Sequence, residues 1–248
     1  MRNLLRKEFF ALQHNSFFWI CFIIIILSGI LTGPGYMLDL VTRKDAIAIF
    51  DSMIYDSTVW IVFFATAVTY LVGKEFTNRT INNDISTGHS RKTIFISKCI
   101  VYFVVYNILI LLFPVIGSIR MSFTLGVEGT VFHNIFHILK VLAFSLILNS
   151  AVFSICLFIV FWFKDIARAT SVSAILVLIS ALIVAYGNPL GWFHQLPLLR
   201  FMPMQQIRII LPDNISAYKL MEALISSLVI IFFFVCISLK RFKKCELK

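Results

Sequence analysis

Six apolar runs, near residues 17–36, 57–73, 94–117, 139–163, 170–186 and 220–239, decide what this chain can fold into. Each is close to the roughly 20 residues that carry a helix across a bilayer core. A helix satisfies its own backbone there without help from water. With 60% hydrophobic and 14% charged residues in 248 positions, a water-soluble fold would leave large apolar patches exposed. The expected class is therefore an all-α polytopic membrane protein, one transmembrane domain over 1–248. The start of the second span is open as far back as Met53. The run from Phe17 to Tyr36 is longer than a signal-peptide core and has no small-residue cleavage site, so it reads as a retained first span. In residues 1–16, Leu5, Phe9 and Leu12 share one side of a helix, with Arg2, Arg6 and Gln13 elsewhere. That pattern suits an interfacial helix.

The net charge of +10 invites a nucleic-acid reading, so the placement of the charges matters. Segments assigned to one side carry fifteen of the 22 Lys and Arg and five of the 12 Asp and Glu; the other side carries seven of each. The whole net charge thus falls on one side, which the positive-inside rule makes cytoplasmic, together with both termini. Nucleic acid is left without support as a partner.

No span has a charge near its centre, whereas an ion-coupled carrier keeps ionisable groups at membrane depth. The deep polar residues include Asn107, Ser145, Asn149, Ser150, Ser173 and Ser180. Their default use is hydrogen bonding between helices; Asn107 and Asn149 are the candidates for a substrate path. No metalloprotease, serine-hydrolase or phosphate-loop motif is present, so no catalytic residue is assigned. His133 and His137 lie one turn apart with no third ligand at metal-binding spacing, and no metal site is assigned. Cys21, Cys99, Cys156, Cys236 and Cys245 have no paired spacing and read as free thiols.

Three further stretches stand out. Gly29 and Gly33 form a small-residue step suited to close helix packing, a candidate subunit contact, and Gly33, Pro34 and Gly35 are expected to break the first span. Residues 187–219 combine Trp192, Phe193 and Leu196 with Pro189, Pro197, Pro203 and Pro212, a pattern for broken or re-entrant helices between spans five and six. The polar island Gly73–Lys98 reads as a short helix from Glu75 to Thr87, with Gly88 as its C-terminal stop and Ser90 capping the third span. Helix, stop and new helix in so short a stretch make a stiff lever.

Glu75, Phe76, Thr80, Ile81, Gly88, Ser90, Arg91 and Lys98 resemble the signature of permease subunits of type-2 ATP-binding-cassette (ABC-2) exporters. Arg79 departs from it, standing where that family often has glycine. The resemblance extends to the layout of interfacial helix, six spans and broken helices. It implies a cytoplasmic coupling helix between spans two and three that docks on a separate ATPase subunit, with Glu75, Arg79, Thr80, Asp84, Gly88 and Arg91 as the docking set. Lys164, Asp165 and Arg168 would make a second cytoplasmic contact. It also implies a second copy of this permease or a homologous one, placement in a bacterial plasma membrane among its lipids, and no cofactor in this chain, ATP and Mg belonging to the partner. Members of similar size export peptides or confer bacteriocin and lantibiotic immunity or antibiotic resistance, so the cargo expected is an amphipathic peptide or lipid-like compound. The alternatives are an ATP-independent immunity or sensor protein and an ion-coupled secondary carrier.

Overall fold

The computed structural model describes residues 1–39, 45–78, 80–187 and 190–244. Among them every regular element is helical: α1 (Arg2–Gln13), α2 (Ser16–Asp39), α3 (Ala46–Tyr55), α4 (Thr58–Thr77), α5 (Thr80–Ser86), α6 (Arg91–Leu125), α7 (Val131–Phe163), α8 (Ile166–Tyr186), α9 (Trp192–Gln195), a 3-10 turn (Pro197–Phe201), α10 (Pro203–Ile209) and α11 (Ala217–Lys243). Six of these, α2, α4, α6, α7, α8 and α11, are long and apolar enough to cross a membrane. The expected all-α class with six spans is what the chain forms.

The spans are not equivalent. In its most apolar stretch α7 is 72% buried, against 22% for α2 and α8 and 11% for α11. α7, α6 and α4 thus form the middle, and the outer helices turn wide apolar faces away from the protein. At mid-depth Asn107 of α6 donates to Ser150 of α7 over 2.9 Å. Nearby, the ring of Tyr106 stacks on Phe153 at 4.7 Å. A polar bond across two helices fixes their register, where apolar packing alone would tolerate slippage.

Close approach of α2 and α6 depends on glycine. A methyl group added at Gly29 would come within 2.9 Å of the Phe113 carbonyl oxygen, and one at Gly33 within 3.2 Å of Met121. The close helix packing that the step suited is therefore made inside the protomer, on α6. Because the obstacle at Gly29 is backbone, Gly29→Ala is expected to cost about 1–3 kcal/mol, as overpacking does. Thermal unfolding in detergent would reveal it, and an unchanged melting temperature would contradict the packing.

Three boundaries differ from the sequence expectation. Pro34 lies inside α2 and does not end it; Pro114 likewise lies within α6, and membrane helices tolerate such residues. Residues before Thr58 do not extend the second span but form α3, whose N-terminus is capped by Asp45 accepting from the Ala48 amide at 3.0 Å. On α1 the buried stripe is Leu4, Glu8 and Leu12: Leu12 is as expected, but Leu4 and Glu8 stand in place of Leu5 and Phe9. That shift puts a carboxylate on the inner face.

Candidate functional site

α4 does not stop where the second span should. It runs on to Thr77, so Glu75 and Phe76 belong to its last turn, and the lever itself is the seven-residue α5. Thr80 bridges the joint by donating its hydroxyl to the Glu75 carbonyl at 3.1 Å. Ile81 is fully buried and holds α5 to the bundle. Gly88 ends the turn with φ +87°, a backbone region that only glycine enters without strain. Ser90 then opens α6 by accepting from the Thr93 amide at 3.2 Å.

Beneath α5 lies a buried ion cluster. Lys98 of α6, 1% exposed, donates to Glu8 of α1 at 2.8 Å and to Glu75 of α4. Tyr102, one turn further along α6, donates its hydroxyl to the same Glu75 carboxylate. Three helices far apart in sequence are thereby pinned at one ammonium group. Charges removed from water this way need all their partners, because losing one leaves an uncompensated charge behind.

A second layer of contacts is aromatic. Phe76 of α4, Phe95 of α6, Phe161 of α7 and Phe242 of α11 meet directly below the loop. Phe161 lies 5.3 Å from Phe76, 4.8 Å from Phe95 and 5.3 Å from Phe242. The edge-on and tilted pairings are those that the ring quadrupole favours. At the outer edge Lys7 of α1 donates to Asp84 of α5, and Arg91 donates to the Lys243 carbonyl of α11 at 2.9 Å. α5 thus rests on α4 and α6 and is tied to α1 through Lys7 and Asp84, while the aromatic cluster and Arg91 join α4 and α6 to α7 and α11.

The family comparison decides what kind of protein this is. A family model described as ABC-2 family transporter protein matches residues 4–185. The chain belongs to the ABC-2 transporter family. The match covers nearly three-quarters of this ABC-2 protein, from α1 almost to the end of α8, and leaves α9 to α11 beyond it. A search among curated proteins finds no match. Membership makes the chain a multi-pass membrane component of a transporter, a kind of subunit that is typically not catalytic.

Within this ABC-2 protein the expected site residues lie as follows. Glu75 and Asp84 turn their carboxylates inward, to Lys98 and Lys7, so both hold the loop in place. Thr80 bridges the joint, Gly88 ends α5 on the exposed side, and Arg91 reaches toward α11. Arg79 lies outside the described residues. In the second loop Lys164 ends α7 in the left-handed region at φ +56°, and Asp165 caps α8 by accepting from the Arg168 amide at 2.9 Å. A methyl group at Gly73 would lie 3.3 Å from the Ile166 Cα, so the two loops sit back to back. Asn149 is buried, while Asn107 lines an apolar cavity of about 640 Å³ between α6 and α7.

The expected docking set did not include Glu8, Lys98 or Tyr102. A signal for Glu8 was present in the sequence: Leu4, Glu8 and Leu12 follow i, i+4 spacing, which puts a carboxylate in the middle of an apolar stripe. At the opposite end of the bundle, His137 has carboxylates after all. Asp51 of α3 lies 2.9 Å from its Nε2, and Asp213 lies 2.6 Å from its Nδ1. Among the described residues, no group of three His, Cys, Asp or Glu is arranged to hold a metal ion.

Proposed function

We propose that this ABC-2 protein is the transmembrane subunit of an ATP-driven exporter, and that a separate ATP-hydrolysing subunit docks on α5. The observation that carries this reading is the two-sided character of the loop. Its inner side is fixed by Lys98, Ile81 and the four phenylalanines, whereas Asn83, Ser86, Thr87, Ser90 and Lys92 are exposed. Between α1 and α5 an open cleft of about 500 Å³, whose lining includes Leu4 as well as Asn3, Lys7, Asn83, Asp84 and His89, offers a seat for a partner's side chain. A lever that is rigid beneath and polar above suits a moving soluble partner, and ATP and Mg would be held there.

In this reading the subunit works as a pair with a second copy or a homologous permease in a bacterial plasma membrane, its α5 end and both termini cytoplasmic. Lys164, Asp165 and Arg168 would add a smaller contact to the ATPase. The cargo would be amphipathic or membrane-embedded, a peptide or antimicrobial compound, consistent with the apolar cavity that Asn107 lines. The exposed face provides the test. Asn83→Arg combined with Ser86→Arg is expected to reduce co-purification of the ABC ATPase that the wild-type chain captures from its native host at least tenfold and to leave the melting temperature of the isolated subunit unchanged. An ATPase retained at wild-type yield would overturn the docking site.

A further inference from the structure

Away from the loop, one side chain fastens three segments. His137 is 4% exposed and sits in the first turns of α7. Its Nε2 faces the Asp51 Oδ1 of α3 at 2.9 Å and its Nδ1 faces the Asp213 Oδ1, in the turn between α10 and α11, at 2.6 Å. The second approach is an ion-pair contact off the line of a hydrogen bond. A neutral imidazole carries one N–H and could offer a proton to only one of these carboxylates, whereas the imidazolium serves both.

We propose that His137 is a proton-operated clasp joining α3, the start of α7 and the Pro212–Asp213 turn at the end of the bundle opposite α5. It is closed while the imidazole carries its second proton and released when that proton leaves to water. Release leaves two carboxylates facing one another across a neutral ring. The other charged groups around it are few. Lys140, one turn along α7, donates to the Pro212 carbonyl at 3.2 Å, and His133 stands 3.7 Å from the Asp213 Oδ2. Arg208 of α10 is engaged by the Val184 carbonyl at 2.9 Å and lies over the Tyr55 ring. Glu222 of α11 pairs with Arg200 at 3.1 Å.

The sign follows from the partners. Interactions that favour the charged imidazole stabilise the closed form at low pH, and that contribution is lost as pH rises through the imidazole titration. An acid limit exists as well. Burial raises Asp51 above the usual carboxylate range against the hydrogen bond from His137, so Asp51 is the carboxylate that protonates first. Asp213 is shifted the other way: its slight burial would raise it, but the charge of His137 beside it prevails. The clasp therefore closes over a window between the two titrations.

This device stands independently of whether an ATPase drives the protein, and its test needs no cargo. In the full chain reconstituted in lipid nanodiscs, amide hydrogen exchange over 210–216, corrected for intrinsic rates, is expected to lose roughly tenfold protection between about pH 5.5 and about pH 8. His137→Gln should be weakly protected at both values. Asp213→Asn alters a residue whose side chain is 41% exposed, so it leaves the packing of α7 intact and decides the matter even if the histidine variant fails to fold. It too should abolish the pH dependence. Flat wild-type protection, or a wild-type profile retained in Asp213→Asn, would overturn the clasp.

Discussion

Replacing Lys98 with methionine is expected to destabilise the protein by about 3–5 kcal/mol, because Glu8 and Glu75 would remain buried with no cation between them. Methionine preserves the apolar stem and much of the volume, so the loss would come from charge. The origin can be isolated by neutralising the partners: adding Glu8→Gln and Glu75→Gln to the methionine variant should recover most of the loss, since a neutral set has no unpaired charge to bury. The pair of Lys7 and Asp84 serves as a control. The Lys7 side chain is 50% exposed but Asp84 is buried, so Lys7→Ala combined with Asp84→Asn, which leaves no buried charge behind, should cost no more than about 1 kcal/mol. Thermal and denaturant unfolding in detergent would measure all of these. A methionine variant as stable as the wild type, with both glutamates in place, would show that the cluster does not pin the three helices.

Phe161→Ala is expected to be of similar size, about 3–5 kcal/mol, by the opening of a cavity in the best-packed helix. Phe161 is 1% exposed and touches the rings of three other helices. In a membrane the apolar transfer drive between helices is weak, so lost van der Waals contact carries the effect. Phe161→Leu, which fills most of the space, should cost less than about 1.5 kcal/mol. The two variants also separate stability from transmission. If the proposed ATPase docks on α5 and α5 moves α11 through these rings, the alanine variant should lose any stimulation of ATP hydrolysis by cargo that the wild-type assembly displays. Full stimulation would mean that the force travels through the ion cluster alone.

The six spans and both caps around Gly88 and Ser90 were legible in the sequence because each depends on a local pattern: length, hydropathy, one glycine, one serine. α3 was not, since a largely apolar ten-residue stretch followed by Asp56 and Ser57 runs into the next span without a Pro or Gly to mark the break. Pro34 misled for the opposite reason: it is a stop signal in water, but α2 continues through it. The ion cluster was half legible. Glu75 and Lys98 were expected at the right places as parts of the loop, yet nothing local says that the loop's own charges face inward. Glu8 lies 90 residues from Lys98 and Asp51 lies 86 from His137; such pairs are set by how helices cross.

That separation also sets an order of events during synthesis. Glu8 emerges from the ribosome 90 residues before the lysine that neutralises it. Until α6 has begun to enter the membrane, the Glu8 carboxylate lacks its cation, and it must remain hydrated at the surface while the first two spans insert. α1 is therefore made before α6 and takes its final place only once Lys98 of α6 has reached its Glu8.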